Sequence, residues 1–64
     1  MAHVAVAARL ESLAARDRQT AESLQLLADS TGCCDDAMAA IISAHLRLAT
    51  ELEAVASRNR ESDI

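Results

Sequence analysis

Residues 29–36 read Asp29-Ser30-Thr31-Gly32-Cys33-Cys34-Asp35-Asp36, and this stretch decides the fold. Gly32 is the only glycine of the 64-residue chain, and proline is absent. On either side the sequence is rich in Ala, Leu, Glu, Arg and Gln, all strong helix formers. A glycine can take a left-handed conformation at no steric cost and so ends a helix cleanly. Asp35 or Asp36 can open the next one, because a carboxylate accepts bonds from the free N–H groups of a first turn and suits the positive end of the helix dipole. A short connection between two long helices makes them antiparallel neighbours. The reading is all-α, an antiparallel two-helix hairpin. It places one helix over about 2–30, a turn over about 31–35, a second helix over about 36–59 and a frayed tail over 60–64.

Outward from the break, both flanks carry a helical apolar pattern. On the N-terminal side Val6, Leu10, Leu13, Ala14, Ala21, Leu24, Leu27 and Ala28 fall on one face, with Ser12, Gln19, Ser23 and Ser30 opposite. Arg18 and Glu22 stand four apart and can pair within the helix, whereas Glu11 has no such partner at Ala15. On the C-terminal side the stripe is Met38, Ile41, Ile42, His45, Leu48, Ala49, Leu52, Val55 and Ala56, and Leu46 widens it. It covers about half the circumference. A helix facing a single neighbour needs a narrower band, so this breadth implies contact with two other helices. Val4 and Leu26 lie off the main face of the first helix.

Composition points the same way. Of the 33 hydrophobic residues 15 are alanine, and there is no Phe, Tyr or Trp. A chain this short buries only about 60% of its unfolded surface, and alanine brings little area to bury. Small chains resolve this with disulfides, a metal or association. Two adjacent cysteines cannot staple distant elements of one chain, so association is expected. The simplest closed form is a two-fold dimer, a four-helix bundle in which the many alanines let helices approach closely. The interface residues expected are Leu10, Leu13, Leu24, Leu27, Met38, Ile41, Ile42, His45, Leu48, Leu52 and Val55. The expected partner is a second copy or another protein.

Three features could carry chemistry. Cys33 and Cys34 are the candidate metal ligands, since thiolates bind soft ions. A helix N-terminus lowers a thiol pKa while Asp35 and Asp36 oppose that, and vicinal cysteines have poor geometry for bonding to each other. His45 sits within the apolar stripe of the second helix. With Asp17 and Thr20 it can form a polar layer in the core, which costs stability but fixes register and partner choice. Such a layer could also titrate near neutral pH. A catalytic role would need a nucleophile, and Cys34 is eleven residues from His45, about 16 Å along a helix. His3 is remote from His45. The acidic pairs Asp35-Asp36, Glu51-Glu53 and Glu61-Asp63 lack the alternating ligands and glycine bend of a calcium loop.

The formal net charge of -4 argues against binding a phosphate backbone or an anionic membrane. No apolar run reaches ~18 residues, and the N-terminus lacks the pattern of a signal peptide. Unpaired cysteines suit a reducing compartment, so a cytoplasmic location is expected. The hairpin outline resembles the plasmid copy-control RNA-binding hairpin dimers, though no residues match. The helix opening at Cys34-Asp35-Asp36, with Ile41 and Ala44 after it, resembles copper-sensing repressors. Those place further ligands late in the second helix, where Ala56 to Arg60 supply none. The function expected is therefore that of a small non-enzymatic helical protein acting by helix packing, with no cofactor, as a homodimer and/or as an adaptor or small subunit binding another protein. The alternatives are a thiol-based metal or redox sensor and a small nucleic-acid-binding regulator, the latter resting on Arg9 and Arg16 sharing one side of the first helix.

Overall fold

The computed structural model describes residues 2–32 and 35–62. It holds two helices, α1 over Ala2–Thr31 and α2 over Asp36–Ser62, packed against each other as a hairpin. Its extents are 48 × 15 × 10 Å. The long dimension is that of α1 alone, since 30 residues at ~1.5 Å each span about 45 Å.

Local chemistry explains the break. Gly32 has φ of 66°, the left-handed conformation that ends a helix, and its N–H donates to the Asp29 carbonyl at 3.4 Å. The Ser30 and Thr31 hydroxyls donate to the Leu27 carbonyl, which lies in the last turn of α1. Asp35 is the residue that caps α2. Its Oδ1 accepts the Ala37 N–H at 2.8 Å, and its carbonyl accepts the Ala39 N–H at 3.1 Å. Asp36 follows in the first turn, where its charge suits the helix dipole.

At the other end α2 runs through Ser62, so residues 60–62, expected in a frayed tail, are helical. The reason is tertiary: the Arg60 guanidinium is held by the Glu11 carboxylate of α1, with Nε–Oε2 at 2.8 Å.

Among the described residues the buried core is made of alanine alone. Ala7, Ala14, Ala21 and Ala28 stand seven apart on α1, and Ala49 and Ala56 stand seven apart on α2. A strict seven-residue repeat keeps one line of side chains facing a partner when helices wind about each other. With methyl groups at every buried position of that line, the two backbones come close. Except for Ile42, which continues the α2 line seven before Ala49, the larger residues of both stripes lie on the flanks of the seam, where they are half-buried or exposed. No helix of the described residues is long and apolar enough to cross a membrane.

Candidate interaction surface

The alanine seam divides the hairpin into two long sides, and the residues beside it follow the same seven-residue rows. On one side stand Glu11, Arg18 and Gln25 of α1 and Leu46, Glu53 and Arg60 of α2. Here the helices are tied by two forked ion pairs. Arg18 donates to Glu53, with Nε–Oε2 at 3.2 Å and Nη2–Oε1 at 2.5 Å. Arg60 donates to Glu11 at 2.8 and 2.6 Å. The guanidinium hydrogen bonds hold both glutamates below the usual carboxylate range and raise both arginines above theirs. Arg18 is thus committed across the hairpin rather than to Glu22, the neighbour that helix spacing alone suggests. Leu46 interrupts the charged row, and with Ala21 and Ile42 it floors an open cleft of about 290 Å³ rimmed by Arg18, Glu22 and Gln25.

The other side is apolar. Val6, Leu13, Thr20 and Leu27 form its row on α1, and Ile41, Leu48 and Val55 form its row on α2. Val6, Leu13, Leu27, Ile41 and Leu48 remain between 41% and 51% exposed although each adjoins the seam. Between the two rows lie Leu10, Leu24, Met38 and Leu52, all half-buried, and Val55 is half-buried as well. Ile42 falls on the seam line itself, seven before Ala49, and is half-buried.

Asp17 and His45 occupy this same intermediate row, seven after Leu10 and seven after Met38. His45 Nδ1 lies 2.9 Å from Asp17 Oδ1. An ionised carboxylate can only accept, so the imidazole Nδ1–H donates. The His45 and Asp17 side chains are 33% and 18% exposed, respectively. Thr20, expected in one polar layer with them, is exposed and its hydroxyl turns back to the Arg16 carbonyl at 3.0 Å. The structure brings Asp17 and His45 together and leaves Thr20 out of the pair.

Arg9 and Arg16 line the outer margin of the apolar side, bracketing Leu13 and Ser12, and make no ion pair among the described residues. Cys33 and Cys34 lie outside the described residues. Among the described residues no group of three or more His, Cys, Asp or Glu side chains is placed to hold a metal ion.

The two cross-hairpin ion pairs escaped the sequence reading. Their signal was present: Glu11 and Arg18 stand seven apart on α1, and Glu53 and Arg60 stand seven apart on α2. In an antiparallel pair of helices that shared order sets unlike charges opposite each other.

No protein-family model matches the chain, and neither a curated protein nor a solved structure matches it.

Proposed function

We propose that this chain is a non-enzymatic helical protein that acts through helix packing, as a homodimer and/or as an adaptor or small subunit. Its apolar side is the contact surface, and a second copy is the occupant. One observation carries the reading: the buried positions of the seam are alanines, and five large apolar side chains, Val6, Leu13, Leu27, Ile41 and Leu48, are left exposed on one side. A continuous apolar face of this kind marks a site of association.

The dimensions favour a second copy. The hairpin that carries the face is 48 Å long and 15 Å across. Its whole side is thus about 700 Å² in projection, of the order of the ~800 Å² per partner of a standard interface. Another copy presents two helices of matching length side by side, and so fits the face along its whole length. Two such hairpins joined on their apolar sides form a two-fold four-helix bundle whose outer sides carry the ion pairs. The half-circumference stripe of α2 is then accounted for, with α1 on one flank and a partner helix on the other.

Light scattering in the presence of reductant, over a range of concentrations, tests this. The expected mass is twice the 6.8 kDa of the chain. The double substitution Leu13→Lys/Leu48→Lys returns it to the single-chain value, while Leu26→Lys, on the outer surface of α1, leaves the dimer intact. A fully helical single chain at every concentration overturns the second copy as occupant and leaves the adaptor or small-subunit role.

A further inference from the structure

We infer that the Asp17–His45 pair makes association through the apolar side proton-dependent, strongest when His45 is protonated and Asp17 ionised. This rests on the helix-packing reading above. The pair lies in the row between Val6-Leu13-Leu27 and Ile41-Leu48-Val55, its two members seven residues from Leu10 and Leu24 on α1 and from Met38 and Leu52 on α2. Covering the apolar side therefore covers the pair as well.

The charges around it are few. From α1, the element packed on α2, Asp17 is the ionisable group that faces His45. Arg18, Glu53, Glu11 and Arg60 belong to the opposite side of the seam and are engaged with one another. On α2 the residues three and four positions from His45 are Ile41, Ile42, Leu48 and Ala49. Arg47 is two positions away and so points off this face. Arg9, Arg16, Glu51 and Arg58 border the apolar side at its outer margins.

Burial turns that isolation into a dependence on protons. A protonated His45 beside an ionised Asp17 is a hydrogen-bonded pair of zero net charge, the form that leaves water most cheaply. If His45 loses its proton, the carboxylate keeps its charge and only a neutral donor. If Asp17 gains one, the imidazolium is left unbalanced. Either change places one uncompensated charge per chain inside the bundle, two per dimer. The dimer is thus weakened by either change.

Sedimentation equilibrium at about pH 5.5 and at about pH 8, on the acid and basic sides of the ordinary histidine value of about 6.5, tests this on the full chain. The dimer dissociation constant should rise by about tenfold or more at the higher pH, as expected when a buried pair loses its charge balance. Asp17→Asn/His45→Gln keeps a hydrogen-bonding pair without a titration, and it should dimerise with the same constant at both pH values. That variant retains His3 and the other charged groups of the surface, so any pH dependence it keeps comes from elsewhere. Dimerisation of the wild type that is flat with pH, or equal pH dependence in the double variant, overturns the inference and leaves the packing reading standing. A single chain at both pH values overturns the inference together with the second copy as occupant.

Discussion

The two sides of the hairpin are built from matching seven-residue rows of the same two helices, yet they are opposites. One is closed by Arg18–Glu53 and Glu11–Arg60 and faces water as a charged surface. The other leaves Val6, Leu13, Leu27, Ile41 and Leu48 about half exposed. On the proposed reading, the difference lets a small chain separate folding from association. Narrow alanines let the helices meet while five large side chains stay about half exposed, and on the proposed reading these are the ones a partner covers. The ion pairs add direction more than strength, because exposed pairs contribute little in water. They set the two helices in one antiparallel register, and on the proposed reading they mark the side that a partner does not cover.

Overfilling the seam breaks the comparison most severely. Ala14→Leu/Ala49→Leu puts two isobutyl groups where both alanines are wholly buried. Each should cost about 1–3 kcal/mol, enough to remove most of the stability of a small domain. Circular dichroism melts would show it; an unchanged or higher Tm would mean the backbones are not held close by the alanines. Next in size is the apolar side itself. Leu13→Lys/Leu48→Lys should abolish the dimer in light scattering, with the remaining helix content lower and no longer dependent on concentration.

The connection is smaller in effect. Asp35→Ala removes the cap that accepts the Ala37 N–H and should cost about 1 kcal/mol. Gly32→Ala meets no atom within 4 Å, so its cost, also about 1 kcal/mol, comes from the positive φ alone. Thermal melts of the two should be similar, and a much larger loss for Gly32→Ala would point to a steric cause.

The smallest effect belongs to the charged side. Glu11 and Glu53 have folded pKa values held down by their arginines. The unfolded chain therefore binds more protons in the carboxylate range, and stability rises with pH there. The contribution of these pairs is present above the ordinary glutamate range and is lost as pH falls through the lowered folded values. Glu11→Gln/Glu53→Gln should slightly lower the Tm at neutral pH and flatten its fall in acid. An acid-dependent fall as steep as that of the wild type would show that the pairs do not contribute.

Much of this architecture is legible without coordinates. Gly32 with Asp35 and Asp36 locates the turn because left-handed geometry and helix capping are local chemistry. Periodicity locates both helices for the same reason. The breadth of the α2 stripe shows that the chain carries more apolar surface than one neighbour can cover. Asp17 and His45 can be placed near each other from hairpin register. What the sequence leaves open is which apolar residues meet. Alanine and leucine rows both have helical spacing, and only the packed structure selects the alanines for the seam, since close approach of two backbones favours the smallest side chains. The same closeness brings Arg18 to Glu53 and Arg60 to Glu11, contacts between residues 35 and 49 positions apart that no local rule supplies. The anchoring of Arg60 also carries α2 beyond Asn59, where the sequence reading ended it. The sequence by itself determined two helices and their break, because those depend on neighbours along the chain. The tertiary structure decided which side is closed and which is open, because that depends on how near the two backbones can come.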